Sequence, residues 1–221
     1  MNLSTPLAIY AALSKELSGE LIWPGSVKFY TAATCFTSSK IHADFCLWAA
    51  KEPKASNEAF NVTNGDTESW QNLWPKLAKR FGCTVAADQL ARKLDEKLES
   101  KSQLSPKPAI ADQAAALGLE GSAVLEPSYV ESRIDVIKWS QQDEVKSAWN
   151  KLADKHGLQK ELLEKTTWWF LQFELGRNFD LWGSMSKARK LGWTGYVDTW
   201  DSFEDVFQEL ESAGVIPKQG T

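Results

Sequence analysis

Hydrophobic positions recur at helical spacing along most of the chain and alternate almost nowhere, a pattern that predicts a helix-rich protein with few strands. Leu7, Tyr10, Leu13 and Leu17 predict a first helix, with Ser4 or Thr5 as its cap, Pro6 at the first helical position and Gly19 as its stop. Trp23-Pro24-Gly25 reads as a turn leading to a short extended piece over residues 27–31. Ser38 or Ser39 begins a second helix carrying Ile41, Phe45, Trp48 and Ala49. Residues 59–63 alternate weakly and stop at Asn64-Gly65, the signature of a short strand. Trp70, Leu73, Trp74, Leu77, Ala78 and Phe81 then give the cleanest amphipathic helix, starting at Asp66 or Thr67 and ended by Gly82. Pro75 inside it predicts a kink, or two short helices meeting near Trp74.

Beyond Cys83 the signal weakens. Leu90, Leu94 and Leu98 suggest one more helix, residues 100–108 an exposed connection, and the Ala-rich residues 109–119 a short helix. Ser140 reads as the cap of a helix through Trp149 and Leu152 that stops at Gly157. A helix over about 160–175 is apolar nearly all round and must be covered on more than one side. Two last helices are predicted over 184–191 and 202–210.

The net charge of −4 carries no footprint of polyanion binding, so a nucleic-acid partner is not expected; the short run Lys187, Arg189, Lys190 reads as a solvated helix face. The longest apolar stretches are broken by Lys15, Asp44 and Gln172, short of the ~18 residues that cross a bilayer, so no membrane role is expected. Nothing at the N-terminus resembles an export signal, which points to a cytoplasmic protein with Cys35, Cys46 and Cys83 reduced and mostly buried. The 11 tryptophans suit either a core or a broad apolar pocket.

Candidate chemistry is sparse. There is no GxGxxG, GxxxxGK[ST] or GxSxG anywhere. His42 and Cys46 stand i, i+4 with Cys35 upstream, a conceivable ligand set, but a buried thiol beside an ordinary histidine is the simpler reading. His156 suits the end of its helix before Gly157.

The run Asn57-Glu58-Ala59-Phe60-Asn61-Val62-Thr63-Asn64-Gly65-Asp66, with Trp70, Leu73-Trp74 and Phe81-Gly82 after it, closely resembles the progesterone 5β-reductase and iridoid synthase-like reductases. These are atypical extended short-chain dehydrogenases/reductases. Three further pieces agree: Met1-Asn2-Leu3 leading into Ala8-Ile9-Tyr10; Leu47-Trp48-Ala49-Ala50; and Ser184-Met185-Ser186-Lys187 with Gly192-Trp193.

The resemblance implies a helix-rich α/β fold, the C-terminal part of an NAD(P)-binding Rossmann-like enzyme lacking the N-terminal nucleotide-binding half. Residues 1–82 would form the residual Rossmann-like part and residues 83–221 a mainly helical substrate-binding part. The family's catalytic Tyr and Lys are not found here: the residues four after Tyr10, Tyr30, Tyr129 and Tyr196 are Ser14, Thr34, Arg133 and Trp200. By resemblance Asn2 falls near the cofactor loop, and Leu181, Ser184 and Met185 near the substrate pocket. The full-length family uses NADPH to reduce an activated C=C bond in an apolar, enone-like molecule. This chain is expected to bind no NADPH tightly and to be inactive as it stands. The alternative is a cofactor-free binding protein, isomerase or cyclase on the same fold. Loss of the first strands of a parallel sheet would leave apolar surface open, so self-association is expected. The Asn64-Gly65-Asp66 turn reads as structural, with Gly65 supplying a positive φ and Asp66 a helix cap.

Overall fold

The computed structural model describes residues 2–104, 107–122 and 125–218. Met1 of the first matched piece, and Ser105 and Pro106 of the expected connection, lie outside these residues. Ten α-helices and two small antiparallel ladders make up the regular structure among them.

Helix α1 (Ser4–Leu17) is the centre of the molecule. Every residue from Pro6 to Ser14 is buried, so it is covered all round rather than amphipathic, and Leu17 is exposed at its end. The short helix α2 (Val27–Thr31) replaces the extended piece expected there. Ser26 caps it by accepting from the Phe29 amide at 3.0 Å, and burial of Phe29 and Tyr30 holds the turn inward. Strand β1 (Ala33–Thr34) pairs with β2 (Glu68–Ser69), and Ser38 caps α3 (Ser39–Lys51) as expected.

Residues 59–63 form no strand. Their polar groups instead find side-chain partners: the Val62 carbonyl accepts from Thr37 Oγ1 at 2.6 Å and the Thr63 amide donates to Met185 Sδ at 3.3 Å. Helix α4 (Trp70–Arg80) is capped by Ser69 rather than Asp66 or Thr67, and runs on through Pro75. Pro75 and Gln71 are both exposed, so water can serve the carbonyl that Pro75 leaves free.

The helix expected from Leu90 to Leu98 is a set of turns ending in a 3-10 turn, Glu96–Leu98. One leucine in every four positions gives a single contact row, and Asp95 turns the chain by accepting from the Lys97 amide. Strand β3 (Ser100–Gln103) lies where an exposed connection was expected and pairs with β4 (Tyr129–Ser132), Ser100 opposite Ser132. In the Ala-rich stretch the structure has a 3-10 helix, Ala109–Gln113, in place of an α-helix.

Asp135, not Ser140, starts the next helical pair by accepting from the Ile137 and Lys138 amides; α5 (Val136–Ser140) is followed by α6 (Asp143–His156), which Gly157 ends with φ +68°. The expected helix over 160–175 breaks at Thr166–Thr167 into α7 (Leu162–Lys165) and α8 (Trp168–Gly176). Helix α8 buries Trp168, Leu171 and Leu175 but leaves Trp169 half exposed, so it is not covered on every side. Two close approaches fix it. A Cβ at Gly25 would fall 2.1 Å from the Leu175 carbonyl oxygen, and one at Gly176 2.6 Å from Val130. The chain closes with α9 (Ser186–Lys190) and α10 (Thr199–Ser212), the latter capped by Asp198.

One main apolar core joins α1, α4, α6, α8 and α10, and so draws on residues either side of position 82. Seven of the tryptophans are buried, among them Trp23, Trp70 and Trp74, whose ring centroids lie 4.9–6.0 Å apart. Three buried indoles find carbonyl acceptors, Trp23 at Ser26, Trp74 at Leu21 and Trp149 at Lys160, each 2.9–3.0 Å away. A smaller core of Ile41, Phe45, Met185, Ala188 and Trp193 fastens α3 to α9.

Candidate functional site

The turn at Asn64-Gly65-Asp66 ties together the segments that frame a cleft. Asn64, wholly buried, accepts from the Ser38 amide at 2.7 Å through Oδ1 and donates to Thr199 Oγ1 at 2.9 Å through Nδ2. Asp66 accepts from the Thr199 amide and hydroxyl, both at 2.7 Å. It therefore serves the start of α10, a helix far along the chain, and not α4, which it precedes. Gly65 has φ +106°, and a Cβ there would meet the Tyr196 ring at 2.9 Å. Both the positive φ and the close contact require glycine.

This knot sets the start of α3 against the start of α10, and a cleft of about 670 Å³ opens between them. Asn2, Leu3 and Ser4 at the start of α1 line one wall, Phe170 and Glu174 of α8 another, and Phe203 and Val206 of α10 a third. Cys35, Thr37 and His42 lie where this cavity meets a second lobe of about 430 Å³, bounded by residues 60–63 and by Leu181, Trp182 and Gly183. The two cavities, together the groove, share those three lining residues.

Three phenylalanine rings, Phe36, Phe170 and Phe203, line the larger lobe beside hydroxyls, His42 and two carboxylates. Phe36 stands edge-on to Phe203 at 5.6 Å and to Trp70 at 5.8 Å, so this wall is continuous with the core. Burial pushes the Glu174 carboxyl above the ordinary carboxylate range, and Arg177, whose Nη2 lies 2.9 Å from Glu174 Oε2, pulls it back in part. The Cys35 thiol donates to the Leu181 carbonyl at 3.6 Å, next to the parallel bridge between Thr34 and Leu181.

Of the residues expected at a site, Asn2 and Leu181 line opposite lobes of this groove. Asn2 also has a structural task, since its Oδ1 accepts from the Thr5 amide at 2.8 Å and so caps α1. Ser184 is exposed just beyond Gly183; its carbonyl accepts from Asn61 Nδ2 at 3.4 Å, and its hydroxyl accepts from the Ser186 amide. Met185 is buried in the smaller core, with its sulfur turned to the Thr63 amide. The groove therefore gathers two of the four, and the other two hold the segment that carries its rim.

His42 and Cys46 are both exposed on α3, with Nε2 and Sγ 4.0 Å apart, so the thiol expected to be buried is open to solvent. Among the described residues no three His, Cys, Asp or Glu side chains are grouped to hold a metal. Tyr10, at the centre of the core, donates to the Ile22 carbonyl at 2.9 Å, and burial holds its phenol far above the usual range. No helix among the described residues is long and apolar enough to cross a membrane.

The donor set of the groove does not fit the phosphates of NADPH. Neither lobe is lined by a Lys or an Arg among the described residues, whereas Glu174 and Glu209 both line the larger one. Leu3, Phe36, Phe170, Phe203 and Val206 give the larger lobe its apolar walls, and its neutral polar groups include Asn2, Thr37, Ser38 and His42.

Comparison with known proteins gives likeness along nearly the whole chain. An uncharacterised protein of Schizosaccharomyces pombe is 37% identical over 218 residues, which cover 99% of this chain and 53% of that protein. A short chain dehydrogenase of Penicillium aethiopicum is 27% identical, covering 99% of this chain and 50% of its own length. An (S)-8-oxocitronellyl enol synthase of Camptotheca acuminata is 28% identical over 98% of this chain and 45% of that enzyme. The chain thus spans about half the length of the curated relatives it matches. No family model matches it.

Proposed function

We propose that these 221 residues form the substrate-binding side of a reductase of the progesterone 5β-reductase and iridoid synthase-like type. The whole enzyme would be NADPH-dependent and would reduce the activated C=C bond of an apolar, enone-like molecule. The observation that carries this reading is the aromatic groove itself, set within a chain that is similar over 98–99% of its length to a short chain dehydrogenase and an enol synthase. In this reading Phe36, Phe170 and Phe203 bury the hydrocarbon body of the ligand, and Leu181 borders its far end. Asn2 marks the side on which a nicotinamide would lie.

On this reading the isolated 221 residues hold the apolar ligand and neither bind NADPH tightly nor transfer hydride. Hydride transfer needs a site that positions the cofactor, and by the resemblance that site belongs to the nucleotide-binding half, which is not found in these residues. Titrating the chain with NADPH and following nicotinamide fluorescence tests this. No saturable signal is expected at micromolar cofactor, and a micromolar dissociation constant would overturn the assignment.

A second reading is a cofactor-free binding protein, isomerase or cyclase. Conversion of an added enal or enone to an isomer, with no cofactor present, would decide for it. We further propose a cytoplasmic setting and self-association through exposed apolar residues such as Leu47, Trp169 and Trp182.

A further inference from the structure

A separate cleft of about 530 Å³ lies between α2 and the β3–β4 hairpin, and it shares no residue with the aromatic groove. Lys28 of α2 lines one side, and Lys101, Ser132 and Arg133 line the other, with the carboxylates Glu99 and Glu131 between them. Three cations face two anions. Lys101 is paired with Glu131, while Lys28 and Arg133 have no carboxylate within ion-pair distance among the described residues.

Arg133 is the least satisfied of these. Its Nη2 donates to the Arg92 carbonyl at 2.7 Å, and its buried Nη1 makes no hydrogen bond among the described residues. Burial disfavours its charge, the neighbouring Arg92 adds to that, and Glu99 opposes both. Beside it Ser132 is only 5% exposed, and its Oγ also makes no hydrogen bond. Buried donors of this kind are rare without a reason, because each has given up water and received nothing in exchange.

We propose that this cleft binds a small oxyanion, a carboxylate or phosphate group, held by Arg133 and Ser132 with Lys28 closing over it. A guanidinium offers paired N–H donors whose spacing matches two oxygens of such a group, the hydroxyl adds a third donor, and the lysine adds charge. Both Arg133 and Ser132 line the cleft, and in this proposal their buried free donors turn outward to meet the occupant. Glu99 and Glu131 limit the excess of positive charge, which suits one oxyanion group and not a polyphosphate.

The test is a titration of the full chain with inorganic phosphate and, separately, with succinate, at an ionic strength held constant with sodium chloride. Backbone amide NMR signals give the readout. Saturable shifts are expected at Lys28, Ser132 and Arg133, with Phe170 in the aromatic groove unmoved. Arg133→Gln should weaken binding about tenfold and Lys28→Gln about threefold. Lys28 is exposed, so its variant keeps the test valid where the Arg133 variant fails to fold. Saturation by only one of the two anions supports the proposal and identifies the oxyanion. Shifts that merely follow ionic strength, or binding that neither substitution weakens, would overturn it.

Discussion

Asn64 shows how much of this molecule hangs on single polar side chains. Removing its amide leaves the part-buried Ser38 amide without its acceptor, while the Thr199 hydroxyl keeps its bond to Asp66. At about 1–3 kcal/mol for an unsatisfied buried group, Asn64→Ala should lose about 1–3 kcal/mol in urea unfolding. A loss below about 0.5 kcal/mol would mean that the knot relaxes without it. Glu174 makes a pH-dependent prediction. Its carboxyl titrates higher in the folded protein than in the unfolded chain, so the native state binds the proton more tightly. Its share of stability is therefore fully present below the ordinary carboxylate value of about 4.3 and is lost as pH rises through the folded value. Wild type should lose stability relative to Glu174→Gln across that window, and parallel stability–pH curves would refute the assignment. Legibility at this scale was uneven. The glycine requirement at position 65 could be read from Asn-Gly-Asp alone, because positive φ is a local property. Which helix Asp66 caps could not, since its partner Thr199 is 133 residues away. Glu174 did leave a signal, as the lone charge in a stretch from Trp168 to Leu175 that is apolar but for Gln172, and such a charge commonly marks a site.

At the scale of elements, amphipathic periodicity located α3, α4 and α10 because each has one buried face and one wet face. The same spacing located α1, although that helix is buried all round. It failed at β3, a polar strand that owes its place to pairing with β4. The split between α7 and α8 falls at two threonines, where Thr166 Oγ1 bonds back to the Leu162 carbonyl and the chain bends. Element packing gives its own prediction. Arg80 on α4 holds Glu204 through Nε at 2.8 Å and Glu211 through Nη2 at 2.8 Å, both on α10. The arginine is only 13% exposed, so this clamp is worth more than a surface pair. Arg80→Ala should cost about 1–2 kcal/mol, with coupling to Glu204→Ala in a double-mutant cycle. Additive losses would mean that the helices are held by ring packing, Phe81 on Phe207 at 5.4 Å and Trp70 on Phe203 at 6.3 Å, without the clamp.

For the whole molecule, helix-rich character with few strands was legible from periodicity, and the likeness to dehydrogenase and enol synthase proteins from the Asn57–Asp66 run and the three pieces that agree with it. The groove was not, because its walls come from the starts of α1 and α3, the middle of α8 and the far C-terminal helix. Only folding brings those together. The tryptophans changed meaning in the same way: most fill the core, and Trp169 and Trp182 are the ones that face outward. The central claim is that the groove receives an apolar, uncharged ligand. Calorimetric titration of the 221-residue chain with progesterone, repeated on Phe170→Ala, tests it most directly. Saturable binding at one site, weakened at least about fivefold by loss of the Phe170 ring, is the result this account predicts. Absence of binding, or binding that is indifferent to Phe170, would contradict it.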